Sequence, residues 1–173
     1  ALTGLYEGSI RCFGNYRSQW GSVHKPYETY DAGIDFTVPF KSDNFGIGIM
    51  ALGDVSGNAS LSVYKFAMFG SYHKTFGPRK RKHIMAIGYY LKYVQKRIDL
   101  HNLTFPSQYN GDFDFDQNLD NGEGYLDNQL GFPDVGVGAF WRMNPKFFPK
   151  YSFGLSMYHV NLPKETFLDD RNR

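Results

Sequence analysis

The sequence predicts an all-β protein, an antiparallel transmembrane β-barrel of which about seven strands are present as the N-terminal part of a larger barrel. Three observations predict it. Apolar and polar residues alternate with period two in short runs punctuated by Gly, Pro, Asn and Asp. Aromatic residues reach 18% of the 173 residues, with 13 Tyr and 16 Phe, which suits strands and membrane-interface girdles better than helices. The connections between runs alternate between short and long.

The strands follow in order. The first is expected over Ser9–Arg17, with Ile10, Cys12, Gly14 and Tyr16 on one face and Arg11, Phe13, Asn15 and Arg17 on the other. The second sets Tyr30, Ala32, Ile34, Phe36 and Val38 against Thr29, Asp31, Gly33, Asp35 and Thr37. The third sets Phe45, Ile47, Ile49 and Ala51 against Gly46, Gly48, Met50 and Leu52. The fourth sets Tyr64, Phe66, Met68, Gly70 and Tyr72 against Lys65, Ala67, Phe69, Ser71 and His73. The fifth sets Met85, Ile87, Tyr89, Leu91 and Tyr93 against Ala86, Gly88, Tyr90, Lys92 and Val94. The sixth sets Val135, Val137, Ala139 and Trp141 against Asp134, Gly136, Gly138, Phe140 and Arg142. The seventh sets Tyr151, Phe153, Leu155 and Met157 against Ser152, Gly154, Ser156 and Tyr158.

One face is thus large and apolar, the other small, glycine-rich or charged. A soluble barrel points its apolar face inward and covers the outside with Lys, Glu and Thr, not Gly. Glycine weakens a strand, so its recurrence on the polar face implies a crowded or ligand-filled lumen and an apolar face turned outward. The connections Pro39–Asn44, Phe76–Lys82 and Met143–Lys150 are short; Ser18–Glu28, Gly53–Ser60 and Gln95–Pro133 are longer. Membrane barrels have short periplasmic turns and long outside loops, which places the short turns and the N-terminal end on the periplasmic side. An odd strand number and an open edge do not suit lipid. The polar stretch LPKETFLDDRNR follows the last strand, so further strands, and a signal peptide before Ala1, are expected outside this sequence. One domain spans 1–173, with 95–133 as a long extracellular loop.

Composition narrows the function. The net charge of +2 gives no sign of a nucleic-acid partner. No run of about eighteen apolar residues marks a membrane helix. Cys12 is alone, so no internal disulfide forms.

Few residues suggest chemistry. Asp116, Asn118, Asp120 and Asp127 fall at the first, third, fifth and twelfth positions of a calcium-loop window, with hard oxygen ligands where calcium wants them. Asn121 replaces the expected Gly, and Asp127 the bidentate Glu, so a solvated acidic outside loop is the preferred reading and calcium the alternative. The turn Arg79, Lys80, Arg81 and Lys82 is strongly basic and suits a periplasmic contact or lipid headgroups. Arg11, Arg17, Asp31, Asp35 and Lys92 form a candidate lumen network of polar and charged groups. FGIGIMALGDVSG lacks the Lys-Ser/Thr ending of a phosphate loop. Ser71 and His73 share a face, but no nucleophile elbow accompanies them, so no enzyme is expected. His24, His83, His101 and His159 show no metal spacing.

The opening ALTGLYEGSIRCFGNYRSQW carries a further signal. Ala1 and Gly4 match the end of an Asn-Pro-Ala-x-x-Gly motif, and Arg17, Ser18, Gln19 and Trp20, preceded by a matching Tyr16, match an Arg-Asn/Ser-Gln-Trp motif. The stretches TYDAGIDFTVPF, FGIGIMALGDVSG, KYVQKRIDLHNLTFPSQ, FPDVGVGAFW and FGLSMYHVNLP follow in order. With them the chain resembles the PorP/SprF family of Bacteroidetes over essentially its whole length. The resemblance implies an outer-membrane protein of the type IX secretion system, linked to gliding motility, and longer than this chain. It implies as partners a secreted cargo or surface adhesin, periplasmic or lipoprotein secretion components, and outer-membrane lipid. The expected function is docking or anchoring of cargo at the cell surface. The alternative is an outer-membrane channel for small solutes, with a hydrolase or a soluble lipid-binding barrel behind it.

Overall fold

The computed structural model describes residues 2–22, 26–56, 61–77, 81–98, 106–109, 128–145 and 149–167. Period-two alternation becomes seven strands: β1 (Ile10–Gln19), β2 (Tyr27–Phe40), β3 (Asp43–Ser56), β4 (Leu61–Phe76), β5 (Arg81–Arg97), β6 (Gln129–Pro145) and β7 (Tyr151–Met157). All neighbours are antiparallel and the sheet follows chain order, curling into a half-barrel. The outer edges of β1 and β7 carry no strand partner among the described residues.

Register aligns the two faces across the whole sheet. Ile34, Ile49, Met68, Leu91 and Val135 form one outward row from β2 to β6. Phe45, Tyr72, Ile87, Ala139 and Leu155 form another from β3 to β7. These apolar rows are exposed: Met68 is 62% accessible and Leu155 67%. The polar face is the covered one, with Asp35 at 4% and Asp134 at 0%. The distribution is the inverse of a water-soluble sheet, where apolar burial drives the packing.

Aromatic rings gather at both ends of the outward face. Tyr16, Tyr30 and Tyr64 stand at one end, Tyr16 opposite Tyr30 and both Tyr30 and Tyr64 opposite Gly53. At the other, Phe40, Phe45 and Tyr72 form a chain at 5.9 and 5.3 Å, and His83 stacks between Phe76 and Trp141 at 5.3 and 5.9 Å. The stretch from Tyr30 to Phe40 on β2 spans roughly 33 Å at about 3.3 Å per residue, or roughly 25 Å of height at a strand tilt of about 40°. That is the height of the apolar band of a membrane barrel.

The strands run further than turn-forming residues predict. Gly53 and Asp54 read as a loop, yet β3 continues to Ser56, because Thr29 Oγ1 donates to Asp54 Oδ1 at 2.6 Å across the β2–β3 ladder. Pro133 reads as a breaker, yet β6 begins at Gln129, because β7 does not reach that part of its edge. Longer strands shrink the loops. The β3–β4 connection, 57–60, is then as short as the β4–β5 connection, 77–80, so the strict alternation of loop lengths does not hold there. The connections 20–26 and 98–128 keep that end the long-loop side.

Residues 2–8 fold back along the concave face and explain a glycine there. A Cβ on Gly46 would collide with the Thr3 carbonyl oxygen and the Ser71 hydroxyl. Gly46→Ala is therefore expected to lift this segment from the sheet at about 1–3 kcal/mol. Gly14→Ala is the control, since its new Cβ would meet nothing nearer than the Asp31 carbonyl at 3.7 Å. Limited proteolysis checks it: cleavage within residues 2–8 should accelerate in the first variant and not in the second.

Candidate functional site

The concave face carries the small, glycine-rich or charged half of the alternation, with the rings of Phe13, Phe69, Tyr90 and Phe140 set among its glycines and charges. Strand register then decides which of those groups meet. Arg11 on β1 lies opposite Asp35 on β2. Its Nε donates to Asp35 Oδ1 at 2.9 Å and its Nη2 to Oδ2 at 2.8 Å. This two-pronged pair is the strongest geometry available to Arg and a carboxylate.

The same carboxylate seats the N-terminal segment. Gly4 N–H donates to Asp35 Oδ2 at 3.1 Å, and the Tyr6 hydroxyl donates to the Asp35 carbonyl at 2.7 Å. Thr37 Oγ1 donates to the Gly4 carbonyl at 2.9 Å, and Ser71 Oγ to the Thr3 carbonyl at 2.6 Å. Arg11 also lies over the Tyr6 ring at 4.9 Å. Residues 3–6 are thus held across β2, β3 and β4 through backbone groups that would otherwise lie unpaired inside.

A second cluster lies across β5 and β6. Lys92 Nζ is 2.6 Å from Asp134 Oδ2, and His159 Nδ1 is 3.1 Å from Oδ1. The Tyr90 hydroxyl donates to Oδ2 at 3.3 Å. Tyr90 packs on Phe69 at 6.4 Å and on Tyr158 at 6.1 Å. A Cβ on Gly136 would enter the Tyr90 ring, so this glycine lets the ring lie flat along the wall.

Between the clusters runs a trough of about 410 Å³, lined by Leu2, Thr3, Arg11, Phe13, Asp35, Phe69, Tyr90, Phe140 and Tyr158, with backbone at Gly48, Gly136 and Gly154. Asp35, the carboxylate in its lining, already has the Arg11 cation, so the trough presents mostly rings and backbone.

The predicted lumen network divides. Arg11 and Asp35 pair with each other, while Lys92 pairs with Asp134 instead. Asp31 accepts from Asn15 Nδ2 at 3.2 Å, and Arg17 lies exposed opposite Thr29 near the end of β1. Ser71 spends its hydroxyl on the Thr3 carbonyl, which gives it a structural role rather than that of a nucleophile. Asp116, Asn118, Asp120 and Asp127 lie outside the described residues, as do Arg79 and Lys80; Arg81 and Lys82 open β5. Among the described residues no three His, Cys, Asp or Glu side chains gather as a metal group.

Thr3, Tyr6, Tyr90 and Asp134 were not singled out as site residues by sequence, Gly4 entered only as a motif residue, and His159 only as a histidine without metal spacing. The available signal was parity: Tyr90, Lys92 and Asp134 all fall on inward positions.

Comparison with known families matches residues 1–172 to the type IX secretion system membrane protein PorP/SprF family. Neither the comparison with curated proteins nor that with solved structures gives a match.

Proposed function

The chain belongs to the PorP/SprF family of type IX secretion system membrane proteins, and on that premise we propose that its sheet is part of an outer-membrane barrel wall that docks or anchors a secreted cargo or adhesin at the cell surface. The family is one of secretion-system membrane proteins, not of enzymes. The observation that carries the barrel reading is the inverted sheet, with exposed apolar rows outside and covered Asp35 and Asp134 inside. The outer edges of β1 and β7, without a strand partner among the described residues, fit it too, because lipid tolerates no open ladder and a complete wall would need further strands.

Docking is favoured over permeation by the interior itself. Residues 3–6 are bonded to β2 and β4, and the buried Asp35 and Asp134 are neutralised by Arg11 and Lys92 rather than displayed in a selectivity ring. The long-loop end, dominated by residues 98–128, is the surface-facing side and the contact region for cargo. Periplasmic or lipoprotein components of the secretion machine are the expected partners at the short-turn end.

The full-length protein, affinity-purified from solubilised outer membranes, should bring down a surface protein or secretion components. Repeated recovery of the barrel alone, with steady ion conductance in planar bilayers, would overturn docking in favour of a channel.

A further inference from the structure

β7 pairs with β6 only from Val137↔Met157 to Met143↔Tyr151, although β6 begins at Gln129. Continuing that register would set His159 opposite Val135. Instead the Val160 N–H donates to the Val135 carbonyl at 2.9 Å. Asn161 Oδ1 accepts from the Val135 N–H at 3.0 Å, while its Nδ2 donates to the Pro133 carbonyl at 2.8 Å. A side-chain amide thus replaces a strand residue in the ladder.

One extra residue has entered the path, as in a bulge, and the chain turns away. His159 and Leu162 take φ values of 54° and 45°, and the Leu162 N–H closes the bend on the His159 carbonyl at 2.9 Å. The bend goes inward, since His159 reaches the buried Asp134, and Glu165 pairs with Lys96, an inward position of β5. Pro133 has no N–H to offer on the vacated edge. An amide cap, an inward bend and a proline are devices that stop a sheet from growing. Among the described residues the upper edge of β6 is therefore finished without a neighbouring strand.

We propose that this corner is a lateral aperture in the barrel wall, and that the acyl chain of a membrane lipid enters through it into the aromatic trough. The proposal rests on the reading of the sheet as a membrane barrel wall. The trough suits a hydrocarbon chain: its rings are Phe13, Phe69, Tyr90, Phe140 and Tyr158, and Asp35, the carboxylate in its lining, is neutralised by Arg11. The rim is apolar, formed by Tyr158, Val160 and Leu162, and it adjoins the outward Val137 and Met157. An added peptide strand fits less well, because Val135 and Pro133 already hold their bonds.

Tryptophan quenching by acyl-chain-brominated phosphatidylcholine tests this in the full-length protein reconstituted into vesicles. Replacing every other tryptophan by Phe leaves Trp141 as an outward reporter. Phe140→Trp, with every native tryptophan replaced by Phe, reports on the trough. Leu52→Trp in that background reports on an inward position away from it. The expected result is quenching of the Phe140→Trp reporter equal to that of Trp141, with the Leu52→Trp reporter unaffected. A quenched Trp141 with the Phe140→Trp reporter as bright as the Leu52→Trp reporter overturns the aperture and leaves the barrel reading standing. Equal quenching of both inward reporters also overturns it, because entry is then not localised. An unquenched Trp141 overturns the barrel reading itself. Tyr158→Trp replaces Phe140→Trp if the latter does not fold.

Discussion

Replacing Lys92 with leucine is expected to destabilise the folded barrel by about 2–4 kcal/mol, because it strands Asp134 without its cation. Asp134 has no accessible surface, and Lys92 Nζ sits 2.6 Å from its Oδ2. Removing one member of a buried ion pair costs more than removing both, since the survivor keeps its desolvation penalty. Tyr90 and His159 soften the loss by still offering a hydroxyl and an imidazole to the carboxylate. The double variant Lys92→Leu with Asp134→Leu should therefore recover most of the stability. Urea unfolding of the refolded protein, run as a double-mutant cycle, measures it. A double variant as weak as the single one would mean that the pair does not act as a unit.

What was legible in the sequence was what depends on parity. Ile49, Met68 and Leu91 fall on one face and Asp35, Ser71 and Lys92 on the other whatever the register, because side chains alternate strictly along a strand. The identity of the partners depends on register, which parity does not specify. Lys92 meets Asp134 only because β5 and β6 pair as they do across the long connection 98–128, whose length puts no constraint on register. Asp35 was legible as an inward charge, but its hold on Gly4 was not. Residues 2–8 have no periodic pattern and bind largely through backbone groups. Gly46 was the one hint of that contact, and sequence alone read it as lumen space rather than as a seat for the chain's own start. The extra length of β3 and β6 was hidden by Asp54 and Pro133, whose usual meaning as breakers is overridden by a cross-strand hydrogen bond and by a vacant edge.

Met68→Arg separates a membrane wall from any other use of the apolar face. Met68 sits in the middle outward row between Ile49 and Leu91 and is 62% exposed. In water, substituting so exposed a side chain changes stability by no more than about 0.5 kcal/mol. At the bilayer midplane, an outward Arg costs about 2–4 kcal/mol, because its guanidinium must be taken out of water without a partner. Val55→Arg is the matched control. It is outward on the same strand neighbourhood but lies at the long-loop end, in the row of Glu28, Ser62 and Arg97, where a charge is already present. There the cost should fall to about 0–1 kcal/mol. Unfolding from lipid vesicles, compared with unfolding from detergent of short chain length, gives both values. A large penalty for Met68→Arg in vesicles with a small one for Val55→Arg is the depth dependence of a spanning sheet. Equal and small penalties would mean that the face is not in lipid. Equal and large penalties would place it against a protein surface, since a protein interface does not grade its cost by height along the strand.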